Sequence, residues 1–280
     1  MKYDLKHIAG LLKEHGGVDI LSYESGFIEK ALGTRLSVTH YSTFLEYQNF
    51  LEGNPEEAKT FLESINISYS EFFRNNLTFS VLERIILPQL IHLKKKSRRK
   101  EIRIWSTACA SGQEAYSLAM ILEDVLSLNG EKINYRIFAT DHSEVQVSMA
   151  QEGHYSKELV TNITLKRLDN WFIKSKDLYA VRPELKSNID FSVFDLFDTK
   201  LDSPTVSIFG DFDIVVCANL LFYYKSKDQN GILKKLGSCL SNEGFLITGE
   251  TEREIAEKNR FFEVYPQSAI FRYSHSMQLT

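Results

Sequence analysis

Two hundred and eighty residues, 43% hydrophobic and 25% charged, exceed a single small module and give two domains at roughly 150 residues each. This composition excludes a disordered chain, a collagen-like repeat and a disulfide scaffold, and a net charge of −4 argues against a general nucleic-acid binder. Cys109, Cys217 and Cys239 are odd in number and far apart, which suits a reducing cytoplasm and offers no zinc-ligand spacing. The opening Met1-Lys2-Tyr3-Asp4-Leu5-Lys6 starts no apolar signal region. The stretch from Ile214 to Tyr224 contains Asn219 and is too short to span a bilayer.

Residues 1–93 read as helices. Leu5, Ile8, Leu11 and Leu12 share a helical face that ends at Gly16-Gly17. Phe27, Ile28 and Leu32 predict a short second helix, and Phe44, Leu45, Tyr47 and Leu51 a third, stopped at Gly53-Asn54-Pro55. Pro55 suits a first helical turn, with Glu56 and Glu57 near its positive end, in a helix through Ile65. A long helix through Val81, Ile85, Ile86 and Leu90 follows, and Pro88 kinks or splits it. Residues 94–100, Lys-Lys-Lys-Ser-Arg-Arg-Lys, are either a solvated linker or a docking patch for an acidic partner.

From Glu101 the period changes. Strands are predicted at 102–106, 133–139, 189–193, 212–217 and 245–248, with helices at 112–128, 143–151 and 226–240. Phe261 to Tyr273 reads as a hairpin around Pro266-Gln267-Ser268. Strands alternating with helices give an α/β fold, a doubly wound and mostly parallel sheet ended by an antiparallel hairpin.

Three segments can carry chemistry. Ser106 to Glu114 is a strand-to-helix turn of small residues, where Gly112 permits unusual backbone and a ligand can come close. It is neither a dinucleotide fingerprint nor a phosphate loop; a tight structural turn is the alternative. Asp141 ends the second strand, where an acidic side chain can accept both hydroxyls of a ribose; it also directly precedes a predicted helix, which it could cap. Asp213 to Tyr224 delivers Asn219, Tyr223 and Tyr224 to the same edge of the sheet. A core strand explains Leu221 and Phe222, but it explains Asn219 poorly, because a buried amide needs partners.

These segments, taken in order, resemble the CheR-type chemotaxis receptor methyltransferases. The resemblance rests on Ser70-Glu71-Phe72-Phe73-Arg74, Ile86-Leu87-Pro88-Gln89-Leu90, and the run from Ile104 to Met120. It continues through Ala139-Thr140-Asp141, Cys217-Ala218-Asn219 with Phe222-Tyr223-Tyr224, Asn242 to Leu246 and Gly249-Glu250-Thr251-Glu252. It covers nearly the whole chain and implies a class I methyltransferase fold behind a small all-helical N-terminal domain. The implied domains are 1–75, a linking helix and basic linker at 76–100, and a methyltransferase domain at 101–280 with a small β-subdomain near 172–190.

The resemblance also implies S-adenosylmethionine as methyl donor, S-adenosylhomocysteine as product, no metal, and receptor glutamates as acceptors. Arg74, with Ser68 and Ser70, would reach the cofactor's methionine end, and Ala108 and Glu114 would lie along the first turn. Asp141 would hold the ribose, Asp195 and Leu196 would flank the adenine, Asn219 would line the cleft, and Tyr223 would face the transferring methyl. The implied partner is the cytoplasmic region of a methyl-accepting receptor-like protein, met by a cytoplasmic monomer that neither binds nucleic acid nor inserts into a membrane. A glutamate is already ionised at pH 7, so this reaction needs no general base.

Two departures stand out. The family usually has arginine at Ala218 and an acidic residue at Gln113, which keeps open a second reading, a cofactor-binding module with impaired catalysis. Residues 1–70 hold six Lys or Arg against ten Asp or Glu, whereas the family's helical domain is often basic. The region 173–178 lacks the glycine-bearing loop of members that tether to a receptor's C-terminal peptide.

Overall fold

The helical part forms where the caps and periods place it. In the computed structural model, which describes residues 5–16, 18–65, 68–129, 133–207 and 210–274, helix α1 spans Leu5–Gly16; Gly17, expected to help end it, lies outside the described residues. Helix α2 spans Ser25–Thr39, longer than Phe27, Ile28 and Leu32 alone suggest. Helix α3, Phe44–Glu52, opens on a capping box between Thr43 and Glu46, which satisfies backbone donors at both positions. Helix α4 is Pro55–Ile65. Ile8, Leu12, Ile28, Leu32, Leu51 and Phe61 are buried with the Tyr47 ring. Glu57, 7% exposed, accepts two bonds from Arg35 (2.8 and 2.7 Å) and one from the Tyr47 hydroxyl (2.7 Å), so the buried charge is paired on both oxygens.

The chain divides into two compact units: Met1–Ile67 with Phe222–Gln229, and Ser68–Leu221 with Asn230–Thr280. In the second unit the long helix predicted through Pro88 is three pieces: α5 (Asn76–Val81), a π-helical turn (Leu82–Ile86) and α6 (Leu87–Lys96). The wide turn lies just before Pro88, where the missing N–H and the ring's clash with the preceding turn disfavour regular α geometry.

The sheet that follows contains β1 (Glu101–Ser106), β2 (Asn134–Asp141), and, beyond the three short strands described next, β6 (Ile189–Val193), β7 (Phe212–Cys217), β8 (Leu240–Thr248), β9 (Phe261–Glu263) and β10 (Ile270–Tyr273). Strands β3 (His154–Ser156), β4 (Phe172–Ser175) and β5 (Leu178–Val181) make a separate antiparallel sheet in the order β3-β5-β4. The large sheet runs β6-β2-β1-β7-β8-β10-β9. Its first five strands are parallel, and β10 pairs antiparallel with β8 and β9. Parallel strands covered on both faces read as continuous apolar runs, and β7, Phe-Asp-Ile-Val-Val-Cys, is buried throughout. Helices α7 (Gln113–Asn129), α8 (Glu144–Glu152), α9 (Leu165–Trp171), α10 (Pro183–Lys186), α11 (Ser226–Cys239) and α12 (Arg253–Glu257) fill the connections. This strand order, with its single antiparallel insertion at β10, is the class I methyltransferase arrangement, as expected.

The basic run is not simply a linker. Lys94, Lys95 and Lys96 are the last turn of α6, where cations complement the helix dipole. Lys94 pairs with Asp213 at 2.8 Å, with side chains only 14% and 6% exposed. The same carboxylate accepts the Arg103 backbone N–H at 2.9 Å. Lys94 is therefore a half-buried fastener of α6 to the buried Asp213 of β7 and is withdrawn from the reading of six solvated cations.

Candidate functional site

Because β1, β2, β6, β7 and β8 are parallel, the segments that leave their carboxyl ends share one edge of the second unit. The order reverses between β1 and β7: the chain winds outward to β2 and β6, then returns on the other side. Such a switch point opens a crevice where ligands bind in doubly wound sheets. Ala108 follows β1, Asp141 ends β2, Asp195 and Leu196 follow β6, and Asn219 follows β7.

The first turn is built as a backbone cradle. Thr107 and Cys109 donate backbone N–H groups to the Val216 and Thr140 carbonyls (2.9 and 2.8 Å). Ala110 has φ +46° and Gly112 φ +94°. At Gly112 a Cβ would come within 2.9 Å of the Ala150 Cβ, so the turn requires glycine for both its conformation and its space. The Tyr155 hydroxyl, on the small sheet, donates to the Ser111 carbonyl at 2.6 Å and fixes the far side of the loop.

Asp141, 7% exposed, accepts the Ala110 N–H on Oδ2 (2.9 Å) and the Ser143 N–H on Oδ1 (3.0 Å). The cap of α8 is Ser143, whose side chain accepts from Gln146, so the alternative role of Asp141 as helix cap does not hold. Each carboxylate oxygen keeps further acceptor capacity, which fits a diol.

Glu114, the second residue of α7, is partly buried and accepts the Ser106 hydroxyl on Oε1 at 2.6 Å. Burial pushes its carboxyl up to about 7; the Ser106 hydrogen bond and the Arg74 charge oppose the rise, and the Glu252 charge adds to it. Arg74 is exposed, lies over the Tyr69 ring at 5.2 Å and donates to the Tyr69 carbonyl at 3.4 Å. It clusters with the sheet unit because Phe72 and Phe73 before it are buried in that unit's core. The Phe73 N–H is held by Ser117 of α7 at 3.1 Å. Ser68 and Ser70 are partly buried on the same segment.

Leu196 is buried, whereas Asp195 is exposed and accepts the Phe197 N–H at 2.9 Å. Ala218 packs at the rim of the hydrophobic core, and the Gln113 side chain accepts the Ser111 hydroxyl at 3.0 Å. Asn219 has φ +60°. Tyr223 belongs to the other unit, where its ring meets Phe27 edge-on at 5.0 Å and its carbonyl accepts the Glu24 N–H.

Glu252, quoted above only as part of a motif, is fully buried and accepts three backbone N–H groups, from Asn219, Leu221 and Gly249. An acidic residue three places after a glycine that ends a buried strand is the one local signal that could have found it. Burial and nearby carboxylates raise the thiols of Cys109 and Cys217, so neither is a thiolate nucleophile at neutral pH. Among the described residues no group of three or more His, Cys, Asp or Glu side chains could hold a metal ion, and no helix is long and apolar enough to cross a membrane.

A class I methyltransferase sheet thus carries a backbone cradle after β1 and an acidic side chain ending β2. The chain belongs to the CheR methyltransferase family: the model of its SAM binding domain matches residues 68–271 and that of its all-alpha domain residues 3–65. A chemotaxis protein methyltransferase of Borreliella burgdorferi is 30% identical over 92% of this chain and 90% of its own length. One from Escherichia coli is 28% identical over 91% and 86%, and one from Listeria monocytogenes 26% identical over 94% and 98%.

Proposed function

We propose that this chain transfers a methyl group from S-adenosylmethionine to glutamate carboxylates in the cytoplasmic region of a methyl-accepting receptor-like protein. The observation that carries the proposal is the buried Asp141 at the end of β2, bonded to the cradle after β1, on the sheet edge where the charge of Arg74 also acts on Glu114. Together they complement an amino-acid zwitterion joined to a ribose: Arg74 for the carboxylate, Glu114 for the ammonium, Asp141 for the diol. Asn219 lines the same edge, with Leu196 offering an apolar side for the adenine and Asp195 an acceptor. The names of the relatives support a chemotaxis substrate.

When bound, the cofactor supplies an electrophilic methyl group on a sulfonium. The acceptor carboxylate is its own nucleophile at pH 7, so this edge has no proton to remove. The protein's work is alignment and exclusion of water, since charge is neutralised as the methyl moves. The retained Arg74, Glu114, Asp141 and Asn219 favour an active enzyme over an impaired binding module.

Calorimetric titration with S-adenosylmethionine and S-adenosylhomocysteine, beside radiolabelled methyl transfer to membranes of the source cell, tests this. Both ligands should bind, and the label should be released by mild alkali, as methyl esters are. Failure to bind either ligand, or an alkali-stable label, overturns the proposal.

A further inference from the structure

Glu252 is 0% exposed, yet it has no part in the reaction as derived above. Its Oε2 accepts the N–H groups of Asn219 (2.8 Å) and Gly249 (2.7 Å), and its Oε1 accepts that of Leu221 (2.6 Å). A carboxylate stripped of water needs such a full set of donors. The donors come from the ends of two neighbouring strands, β7 and β8, so one side chain ties both together at the switch-point edge.

The tie is made where the backbone turns left-handed. Asn219 sits at φ +60°, a conformation that asparagine tolerates better than other non-glycine residues. At Gly249 an added Cβ would lie 2.9 Å from Glu252 Oε2 and 3.0 Å from both the backbone nitrogen and Oδ1 of Asn219. The Asn219 side chain, the Glu252 carboxylate and the Gly249 backbone are thus packed together with no room for a methyl group. The carboxylate is also an acceptor on both oxygens, which an amide is not. A glutamine would turn an NH₂ toward at least one of the three N–H groups.

We infer that Glu252 is a positioning residue for the cofactor site: by holding the Asn219, Leu221 and Gly249 amides it clamps Asn219 in its left-handed turn. The inference rests on the function proposed above, in which Asn219 and Glu114 meet the cofactor. The groups facing Glu114 are Ser106 from β1, Arg74 from the segment before α5, Glu252 from beyond β8, and the thiols of Cys109 and Cys217. Of these, Ser106 and Arg74 favour the ionised carboxylate and Glu252 opposes it. Removing the Glu252 charge therefore moves the Glu114 titration down, toward the ordinary range.

Two substitutions separate the two effects. Glu252→Gln removes the charge and breaks the clamp, whereas Gly249→Ala displaces the carboxylate but keeps its charge; Gly249 has φ −71°, so alanine meets no backbone strain there. S-adenosylhomocysteine affinity, measured by calorimetry from pH 5.5 to 8.5 on protein with a cooperative melt, should fall at least about tenfold in both, the scale for leaving a buried donor unpaired. The pH midpoint of binding should move down in Glu252→Gln and stay in place in Gly249→Ala. A purely structural role leaves that midpoint unmoved in both. Wild-type affinity and midpoint in the two variants overturn the inference while leaving the proposed function standing; a wild-type protein that does not bind the ligand sinks the proposed function itself. Hydrogen exchange on the wild type needs no variant. The amides of Asn219 and Leu221 should be protected, and more so with S-adenosylhomocysteine; exchange there that ignores the ligand refutes the clamp even if both variants fail to fold.

Discussion

Replacing Glu114 with glutamine should make the protein more stable and a poorer binder, and the two effects should depend on pH in a fixed way. The Glu114 carboxyl titrates at about 7 in the folded chain against an ordinary 4.5. A raised acid favours the folded state below the unfolded value, and that advantage is lost as the pH rises through the folded value. The window is therefore 4.5 to about 7. Above it, the ionised side chain costs the fold about 3 kcal/mol, at about 1.4 kcal/mol per pH unit of displacement. Glutamine carries no charge and still offers an oxygen to the Ser106 hydroxyl, whose bond is 2.6 Å long. Urea unfolding followed by tryptophan fluorescence suits the measurement, because Trp105 and Trp171 both lie in the sheet unit. The variant should match wild type near pH 4 and exceed it by about 2–3 kcal/mol at pH 8. Its affinity for S-adenosylhomocysteine should fall at pH 8, where wild type presents a carboxylate to the ligand's ammonium. Wild-type affinity should itself weaken below pH 7. A variant that is equally destabilised at both pH values, or that binds the ligand as wild type does, refutes the reasoning.

Arg74→Ala should leave the melting curve within about 0.5 kcal/mol of wild type, since Arg74 is exposed and its contacts are with the Tyr69 carbonyl and ring; affinity for S-adenosylhomocysteine should drop by about 1.5–3 kcal/mol, and an unchanged isotherm removes Arg74 from the site. Asp141→Ala should lower both affinity and stability, because it strips acceptors from the Ala110 and Ser143 amides; a ligand bound as tightly as before ends the ribose assignment. Lys94→Ala should destabilise the sheet unit by about 3 kcal/mol, the scale for leaving a buried partner charge uncompensated, whereas Lys96→Ala, at an exposed position, should cost little. Equal melting of these two variants contradicts the Lys94–Asp213 pair.

Most of the architecture was legible from the residues. The apolar runs at 102–106 and 212–217 and the helical period of 112–128 are local patterns, and the structure keeps them within a residue or two. Asp141 and Asn219 could be picked out because each is a polar residue that ends or follows a buried strand. Strand β3 escaped, since three residues, His154–Ser156, are too few to show alternation. Pro88 announced a break in the long helix, and only the packed chain shows it taken as a π turn that ends two residues earlier, at Ile86.

What the sequence determined by itself is therefore the order and type of the elements, the edge of the sheet where polar residues gather, and, through linked motifs, the family. Tertiary structure decided which of those polar residues are partners. Lys94 sat in a run that local charge describes as solvated, yet it is half-buried and paired with the buried Asp213. Glu252 looks like one acid among several near the end of the chain, yet its acceptors are filled from 31 and 33 residues away. Element type follows from short-range periodicity, which each side chain carries with it. The fate of a buried charge depends on which donors the folded chain brings to within 3 Å, and no local pattern records that.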